Sequence, residues 1–560
     1  MGNKKVKDLD FERWHDGRIK ASDANRPLMK ELLDDKGPGF CLAKWTQVTM
    51  HLGVGLTHSC HHPGAHKIPV EELKVNPGAL HNTKFKKERR KEMLNGERPA
   101  ECDFCWRIED NTRDFSDRVY KSLDGFSIQD HDRIKEMTGD EDIFPRYVEV
   151  SFSNVCNFKC SYCGPTFSSK WWEEINEHGH YTFPDLKTYN SDGQQQLKNS
   201  EDNPYTEAFW KWFPEAVTHM HTFRITGGEP LLSKHTIKVI DYLLENPNPE
   251  LEFAINTNGN PPDAVWNTFV EKIAKLEESN AIKKFTLFTS AESAGAQAEY
   301  SRYGLDWEKL KVNMEMFLQK TKNTRVQFMS AFNILSLPTF KEFLEYILLL
   351  KQTYNRSWYY KWLEEAGADL SDFVEYGSPG SKSYTDRHDG FDHNVVVRVG
   401  VDIPYVRHPE FLDVNIATME LVEKYLLPSL HYMYRNGVQY DYDSSIGFES
   451  WESAKLKRIL SDILGKINQT LPEGGMIKDY RNPNGTTQAT ELSMNRARFY
   501  LFVKEYDRRR NTNFLETFPE MTTFYKVCKR EYQRNFDQDG NQISPHSWIN
   551  EDELSLPELD

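Results

Sequence analysis

The chain has 560 residues, of which 38% are hydrophobic, so it can bury a large core and is too long for one ordinary domain. Its formal net charge of −15 opposes general binding to nucleic acid, because that affinity comes largely from neutralising phosphates. No apolar run is long enough to span a bilayer, and the charged start lacks the apolar core of a secretory signal. We therefore expect a cytoplasmic protein of two or three domains with no membrane or nucleic-acid partner.

The first region, residues 1–144, combines helical and strand-like patterns with four cysteines. Helical spacing of apolar residues covers Arg26–Leu33 and Phe85–Leu94, and a strand-like run covers Trp45–Leu52. Seven of the eight cysteines fall within the first 163 residues. Since no secretory signal is present, metal binding is a better explanation for them than disulfide bonding.

The second region, residues 145–405, alternates strands and helices. The predicted strands are Tyr147–Ser153, Thr222–Thr226, Leu251–Thr257, Lys284–Ser290, Arg325–Asn333 and Val395–Val401. The predicted helices between them are His235–Leu244, Ala264–Glu277, Trp307–Gln319 and Phe340–Lys351. Such alternation favours an α/β fold with a parallel sheet, and six strands with right-handed crossovers can curl into a partial (βα)6 barrel.

The third region, residues 406–560, is predicted to be mainly helical. Helical patterns cover Met419–Leu426, Ala454–Ile467 and Asn495–Tyr506. Within it, Cys528 stands in an aromatic context that favours burial as a small apolar residue, and we interpret the basic run Arg508–Arg510 as a helix carboxyl end. Two polar stretches of the second region, Tyr181–Asn203 and Asp369–Asp392, are predicted to be loops.

Three cysteines follow the first strand of the second region, in the segment Cys156-Asn-Phe-Lys-Cys160-Ser-Tyr-Cys163. Three thiolates on one loop can each hold one iron of a four-iron cubane, and the fourth iron is left open to an outside ligand. A zinc site, the simpler alternative, would need a fourth ligand, and no histidine lies within the segment. The spacing therefore predicts a [4Fe–4S] cluster with one open coordination position.

This CxxxCxxC segment resembles that of the radical S-adenosylmethionine (SAM) superfamily. The resemblance implies that SAM chelates the open iron and is split by one electron, which yields a 5′-deoxyadenosyl radical that abstracts a hydrogen atom from a substrate. It also implies that Tyr162 lies beside the adenine. An ordinary packing role for this tyrosine is the alternative.

Later motifs strengthen the resemblance because they fall at successive strand ends, where active sites of barrels are built. Gly227-Gly228-Glu229-Pro230 matches the GGEP motif, which contacts the methionine end of SAM in the family. The same resemblance implies SAM contacts for five further residues, each of which has a helix-cap or turn role as its alternative. They are Asn258 of the Thr-Asn-Gly turn, Ser290, Glu292, Arg302 and Asn333.

Four cysteines of the first region, Cys41, Cys60, Cys102 and Cys105, form a second candidate ligand set. Their spacing resembles the twitch and SPASM auxiliary-cluster domains, although those domains typically follow the barrel and here the cysteines precede it. Four thiolates suit either a closed [4Fe–4S] cluster or a structural zinc ion, and we favour the cluster. The nearby His58, His61, His62 and His66 are interpreted as loop residues, any of which is able to replace a thiolate.

The combined patterns predict an enzyme that cleaves SAM reductively, with an electron donor such as flavodoxin or ferredoxin. A peptide or protein is the first expected substrate, because relatives with auxiliary clusters often modify such substrates. A nucleotide, a sugar or a small metabolite is the alternative substrate. A zinc-binding interaction protein without catalysis is the alternative from another class.

Overall fold

A computed structural model of the protein describes residues 11–13, 19–21, 25–182, 203–355, 398–437, 447–469 and 488–537. The predicted loop Asp369–Asp392 and nearly all of the predicted loop Tyr181–Asn203 lie outside these residues. No described helix is both long enough and apolar enough to cross a membrane.

Thirteen strands are assigned within the described residues. In chain order they are β1 Phe11–Arg13, β2 Ile19–Ala21, β3 Gln47–His51, β4 Leu56–His58, β5 His66–Lys67, β6 Tyr147–Ser151, β7 Lys159–Cys160, β8 Thr222–Thr226, β9 Asn248–Thr257, β10 Ile282–Ser290, β11 Arg302–Tyr303, β12 Arg325–Met329 and β13 Val399–Asp402. Nine of them form one sheet in the order β13-β12-β10-β9-β8-β6-β3-β4-β5, and β1-β2 and β7-β11 form two small antiparallel pairs.

The centre of the large sheet is parallel, as the sequence predicts. Strands β6, β8, β9, β10, β12 and β13 pair in parallel in chain order, and each corresponds to one predicted strand. Strand β3 adds a seventh parallel strand beside β6, and β4 and β5 continue the sheet antiparallel. The sheet therefore extends into the first region, and the division at residue 144 stays a prediction, as does closure into a partial barrel.

The α-helices of four or more residues occupy the intervals between these strands and the end of the chain. They are Asn25–Lys36, Ala43–Thr46, Val70–Val75, Lys84–Leu94, Asp103–Asn111, Asp117–Ser122, Gly125–Ile128, His131–Lys135, Ser169–His178, Pro204–Ala216, Lys234–Glu245, Asp263–Glu278, Gly295–Ser301, Trp307–Lys320, Phe340–Leu350, Leu427–Arg435, Ser450–Gln469, Gln488–Arg510, Phe514–Thr517 and Thr522–Asn535. Met419–Leu421 is a single turn, and Val422–Leu426 continues it as a π-helix.

The two faces of the sheet differ in chemistry. On β6 and β8 the residues Val148, Val150, Phe223 and Ile225 are fully buried and belong to the main hydrophobic core. The alternate positions of these strands are polar and half-buried, and they include the paired residues Glu149 and Arg224. Because neighbouring residues across a ladder point to the same side, one face packs against helices and the other is lined by polar groups.

A second, smaller core lies in the first region. It is built from Phe40, Trp45, Trp106 and neighbouring apolar residues, and Cys105 is one of its members. Cys41 and Cys102 pack against it. The N-terminal cysteines are therefore supported by a core of their own, although β3 to β5 belong to the main sheet.

Several predicted strands are longer than the observed ones, and β12 shows a local reason. The sequence predicts a strand over Arg325–Asn333, whereas β12 ends at Met329. Beyond it, the Phe332 N–H donates to the Ser330 carbonyl oxygen at 2.7 Å, which closes a tight turn. After this turn the chain pairs with the segment that follows β13 only through an isolated parallel bridge between Phe332 and Tyr405, so the regular strand ends although the apolar run continues.

Candidate radical SAM site and N-terminal four-cysteine site

The cysteine loop leaves β6 at its carboxyl end and returns through β7. Cys160 lies on β7, which pairs antiparallel with β11, so that Cys160 is opposite Arg302. Cys163 interacts electrostatically with both Cys160 and Cys156, which places the three thiols together. Burial raises the pKa of Cys156 to about 12, so a metal that binds here must displace thiol protons. Three thiol donors fit a four-iron cluster with one iron left for an outside ligand.

Gly227 and Gly228 bring the turn after β8 against this loop. A Cβ atom on Gly228 would lie 2.4 Å from the Val155 carbonyl oxygen, and one on Gly227 would lie 2.7 Å from that of Ser153. The Gly227 backbone also has a φ of +129°, which side chains other than glycine rarely allow. Two glycines at a strand end allow close approach by a ligand, but in the structure it is the backbone of the cysteine loop that approaches them. Their contact with SAM stays a prediction.

Glu229 joins the turn after β8 to the turn after β9. Its carboxylate, 2% exposed, accepts hydrogen bonds from the Asn258 N–H at 2.7 Å and the Thr257 hydroxyl at 2.8 Å. Burial outweighs these bonds and raises the pKa of Glu229 to about 7. The side chain therefore acts in this structure as a brace between strand ends, and its contact with SAM is untested.

Asn258 links the same turn to the cysteine loop. Its amide nitrogen donates to the Asn157 Oδ1 atom at 2.7 Å, and Asn157 in turn donates to the Asn260 carbonyl oxygen at 2.8 Å. Asn157 lies between Cys156 and Cys160, so these bonds fix the loop that carries the thiols. Sequence reasoning did not single out Asn157, whose position inside the CxxxCxxC segment was the available signal.

Tyr162, Glu292 and Arg302 form one buried network beside Cys160. The Arg302 guanidinium donates to both Glu292 oxygens, at 2.6 to 3.0 Å, and the Tyr162 hydroxyl donates to them at 3.2 and 3.3 Å. Arg302 also approaches the Cys160 Sγ atom at 3.9 Å. The structure thus brings together three of the residues for which the sequence predicts SAM contacts, as partners of one another and neighbours of a cluster ligand.

The two remaining predicted SAM contacts lie at other strand ends. Ser290 ends β10, where it is half-buried and pairs with Met329 of β12. Asn333 is fully buried, and its side chain donates to the Ala331 carbonyl oxygen and accepts from the Leu335 N–H. The amide of Asn333 therefore caps a turn, which is the alternative role considered from sequence, and a contact with SAM is untested for both residues.

A C-terminal helix closes over the cysteine loop, which the sequence did not predict. Arg510, at the end of Gln488–Arg510, donates to the Glu174 carboxylate at 2.8 Å and to the Lys159 carbonyl oxygen at 2.8 Å. Its guanidinium lies 3.7 Å from the centre of the Tyr506 ring. Our interpretation of Arg508–Arg510 as a helix end that complements the dipole omits this role, because the partner Glu174 is more than 300 residues away in sequence.

The four N-terminal cysteines line one cavity. Cys41, Cys60, Cys102 and Cys105 share it with His62, Asp117 and Lys121, among other residues. Burial raises the pKa of Cys102 to about 11, and burial together with the three other thiols raises that of Cys41. The structure therefore brings the predicted ligand set together, with the donors that a closed four-thiolate metal centre requires.

The nearby histidines have partners of their own. His62 and His61 both contact Asp117 Oδ2, at 2.6 and 3.1 Å. His58 lies with its Nδ1 atom 2.5 Å from the Cys60 carbonyl oxygen and its Nε2 atom 3.1 Å from that of His51. His66 contacts the Thr83 hydroxyl. His61, His62 and Asp117 place three possible ligand atoms within 4.8 Å of one another, so they form a candidate metal group of their own beside the four thiols, and the choice of ligands stays a prediction.

Comparison with known proteins agrees with the prediction made from the loop of Cys156, Cys160 and Cys163. Residues 150–347 match the model of the radical SAM superfamily. The chain therefore contains a radical SAM domain over these residues, which include Cys156, Cys160 and Cys163.

Among curated proteins the chain is similar to GTP 3′,8-cyclases. It is 28% identical over 113 residues to that of Pasteurella multocida, a segment that covers 20% of this chain and 26% of the relative. The enzymes of Nautilia profundicola and Campylobacter curvus are 28% and 29% identical over 114 and 113 residues, again 20% of this chain and 27% of each relative. The chain thus spans about a quarter of the length of the curated relatives it matches. These similarities count against the non-catalytic zinc-binding alternative.

Proposed function

We propose that this protein cleaves SAM reductively to methionine and a 5′-deoxyadenosyl radical, which then abstracts a hydrogen atom from a substrate. The observation that carries the proposal is the loop of Cys156, Cys160 and Cys163, braced by glycine contacts and by Asn258 at the carboxyl ends of the parallel strands. When bound there, a [4Fe–4S] cluster with SAM on its open iron supplies the electron that breaks the carbon–sulfur bond. A one-electron donor such as flavodoxin or ferredoxin would keep it reduced.

The protein's own residues hold and shield this site. The three cysteines would supply the thiolates, and Arg302 places a buried positive charge beside Cys160. Trp171 donates its indole N–H to the Cys160 carbonyl oxygen at 3.1 Å, and the C-terminal Arg510 stacks near its ring. This cover excludes water from a site at which a carbon radical must not be quenched.

We further propose that the N-terminal site holds a second [4Fe–4S] cluster. Four thiols line its cavity, so every iron would be ligated by protein and no position would be open to SAM. The different donor counts, three and four, assign different tasks to the two sites. A closed centre serves electron transfer or structure, and an open one binds a cofactor.

For the substrate we propose a small polar metabolite of the nucleotide class, in preference to a peptide. The polar face of the sheet supports this, since Arg224 donates to the Asn256 side chain at 2.8 Å and lies 4.1 Å from the centre of the Phe288 ring. On the same face the Gln327 amide nitrogen is buried and has no hydrogen-bond partner among the described residues. An arginine over an aromatic ring and an unpaired amide donor suit a ligand with anionic and carbonyl oxygens. The names of the relatives, GTP 3′,8-cyclases, point to the same class.

Product analysis tests the proposed cleavage. Protein reconstituted anaerobically with iron and sulfide, then incubated with dithionite and SAM, should release 5′-deoxyadenosine. The variant C160A should release none, while C528A, altered at a fully buried cysteine outside both sites, should release it as the wild type does. Absence of release from wild-type protein with a full iron content would overturn the proposal.

Binding measurements test the substrate class separately. Titration calorimetry with GTP, ATP and UTP as probes should detect binding of at least one nucleotide by the reconstituted protein. Arg224→Met should weaken that binding at least tenfold, in keeping with the loss of about 1.5–3 kcal/mol for a charged hydrogen bond. If none of the three binds, or if Arg224→Met binds as the wild type does, the proposed substrate class is wrong.

A further inference from the structure

Lys44 is buried against the N-terminal four-cysteine site. It lies in the short helix Ala43–Thr46, three residues after Cys41, and is 4% exposed. Its ammonium contacts Glu101 Oε1 at 2.8 Å, and its hydrogen bond to the Cys102 thiol and its charge favour the thiolate form of Cys102. The same charge interacts with Cys60. One lysine thus faces two of the four candidate ligands.

A buried ammonium needs compensating negative charge, because its transfer from water costs several kcal/mol. Glu101 provides the carboxylate that Lys44 contacts, and a second cation and a second acid, Lys121 and Asp117, line the cavity of the four thiols. The charges of Lys44 and Lys121 both favour the thiolate form of Cys60, and Asp117 opposes it more weakly. The surroundings of the four thiols are therefore suited to a centre that carries net negative charge.

A cluster held by four thiolates is such a centre, and it gains one more negative charge when it is reduced. Positive charge and N–H···S hydrogen bonds favour the reduced form, so they raise the reduction potential. A zinc ion in four thiolates is also negative, but it has no second oxidation state for these groups to favour. The position of Lys44 thus has a consequence that a redox-active centre would show and a zinc site would not.

We propose that Lys44 raises the reduction potential of a [4Fe–4S] cluster held by Cys41, Cys60, Cys102 and Cys105, and that Glu101 partly offsets this effect. The proposal rests on the second cluster proposed above. Lys44 acts through the ligands, so it is a positioning residue rather than a catalytic one. Its ion pair with Glu101 makes the effect adjustable in both directions by single substitutions.

The test is a redox titration of the reconstituted full-length protein with dithionite, followed by electron paramagnetic resonance. The signal of the SAM-binding cluster is recognised because it changes when SAM is added, and the other signal reports the N-terminal cluster. Lys44→Met should shift the midpoint of the N-terminal signal to more negative potential, and Glu101→Gln should shift it to more positive potential. Lys44→Arg, which keeps the charge, should stay between Lys44→Met and the wild type.

A matched control pair is available on the surface. Lys74 and Glu71 form an exposed ion pair at 2.9 Å, and Lys74→Met and Glu71→Gln should leave both midpoints unchanged. If Lys44→Met does not fold, Lys44→Gln, which keeps a polar head group but not the charge, takes its place, and an unmoved midpoint in that variant overturns the role of Lys44.

The outcomes separate the two proposals. About eight irons per chain with opposite shifts would support both. About eight irons with unmoved midpoints in Lys44→Met and Glu101→Gln would overturn the role of Lys44 and leave the second cluster standing. About four irons together with stoichiometric zinc would overturn the second cluster and, with it, the role of Lys44.

Discussion

Single residues near the cysteine loop are held by charges that lie deep in the protein, and Glu292 with Arg302 is the strongest case. Both side chains are almost completely buried, and burial alone would disfavour each charge. Their pairing holds the pKa of Arg302 above its usual value, so the guanidinium remains charged. Breaking such a pair costs more than removing it, because one charge is left buried without a partner.

We therefore expect Glu292→Ala to lower the free energy of unfolding by about 3–5 kcal/mol. The double variant Glu292→Leu with Arg302→Met should lose markedly less, because no unpaired charge remains. Urea denaturation under anaerobic conditions measures both. A double variant as unstable as Glu292→Ala would show that the pair itself, rather than the orphaned charge, accounts for the loss.

The buried carboxyl group of Glu229 makes the stability of the folded protein depend on pH in a defined direction. Its pKa is about 7 in the folded protein, raised by burial from the ordinary glutamate value of 4.5. The folded state thus binds the proton more tightly than the unfolded state, so this group contributes stability at low pH that is lost as the pH rises from about 4.5 to 7. The difference amounts to at most about 3 kcal/mol.

We expect Glu229→Gln, which does not titrate, to gain stability relative to the wild type as the pH rises from 5 to 8. Urea denaturation across this range measures the difference between the two proteins, so that other titrating groups cancel. A difference that stays constant with pH would contradict the assigned pKa.

At the scale of elements, the cysteine loop depends on turns that come from other strands. Gly228 lies where a Cβ would meet two backbone carbonyl oxygens of the loop, at 2.4 and 2.5 Å. We expect Gly228→Ala to displace the loop and to reduce the iron bound at the SAM site by more than half. Gly465→Ala, where a Cβ meets nothing within 4 Å, is the matched control and should bind iron as the wild type does. Equal iron content in the two variants would show that the close contact is dispensable.

Two neighbouring arginines of the C-terminal helix Gln488–Arg510 differ in burial, which allows a matched pair of variants. Arg510 is fully buried on Glu174, while Arg508 is exposed and pairs with Glu505 on its own helix. We expect Arg510→Met to cost about 3–5 kcal/mol, because Glu174 loses a buried partner, and to speed loss of the cluster in air. Arg508→Met should change stability by less than about 0.5 kcal/mol. Similar melting temperatures and cluster lifetimes for the two variants would contradict the proposed cover.

Local patterns were sufficient to predict most elements of the central sheet. Thr222–Thr226 and the strand ends at Thr257 and Ser290 agree with the structure because buried parallel strands are short apolar runs that end at polar turns. The pairing of β3 with β6 was not predicted, since the strand-like run Trp45–Leu52 does not indicate which strand it pairs with. The contact of Arg510 with Glu174 was missed for the same reason, because a helical pattern shows one apolar face but not what covers it.

The candidate sites were likewise predicted only in part from the sequence. Cysteine spacing and the resemblance to known families predicted both cysteine sets, and the structure brings the thiols of each set together, while metal binding at either set stays a prediction. Spacing and resemblance did not reveal that Glu292 and Arg302 are partners, or that Lys44 faces the N-terminal thiols. Those relations depend on side-chain packing between distant segments, which propensity and periodicity do not encode.

At the scale of the whole molecule, strands of one large sheet, parallel at its centre, lead into both cysteine sites. The SAM site follows β6, and the N-terminal site follows the neighbouring β3–β4 hairpin, where His58 touches the backbone of Cys60. Between β6 and β8 the polar face of the sheet carries the paired residues Glu149 and Arg224. The proposed chemistry would thus place an open cluster and a closed cluster on one sheet.

The central claim is that one iron at Cys156, Cys160 and Cys163 is left for SAM. Its most direct measurement is electron paramagnetic resonance of the dithionite-reduced, reconstituted protein with and without SAM. We expect one cluster signal to change its g values on addition of SAM, and that signal to be missing from the variant C156A/C160A/C163A. A spectrum unchanged by saturating SAM, in protein with a full complement of iron and sulfide, would contradict the account.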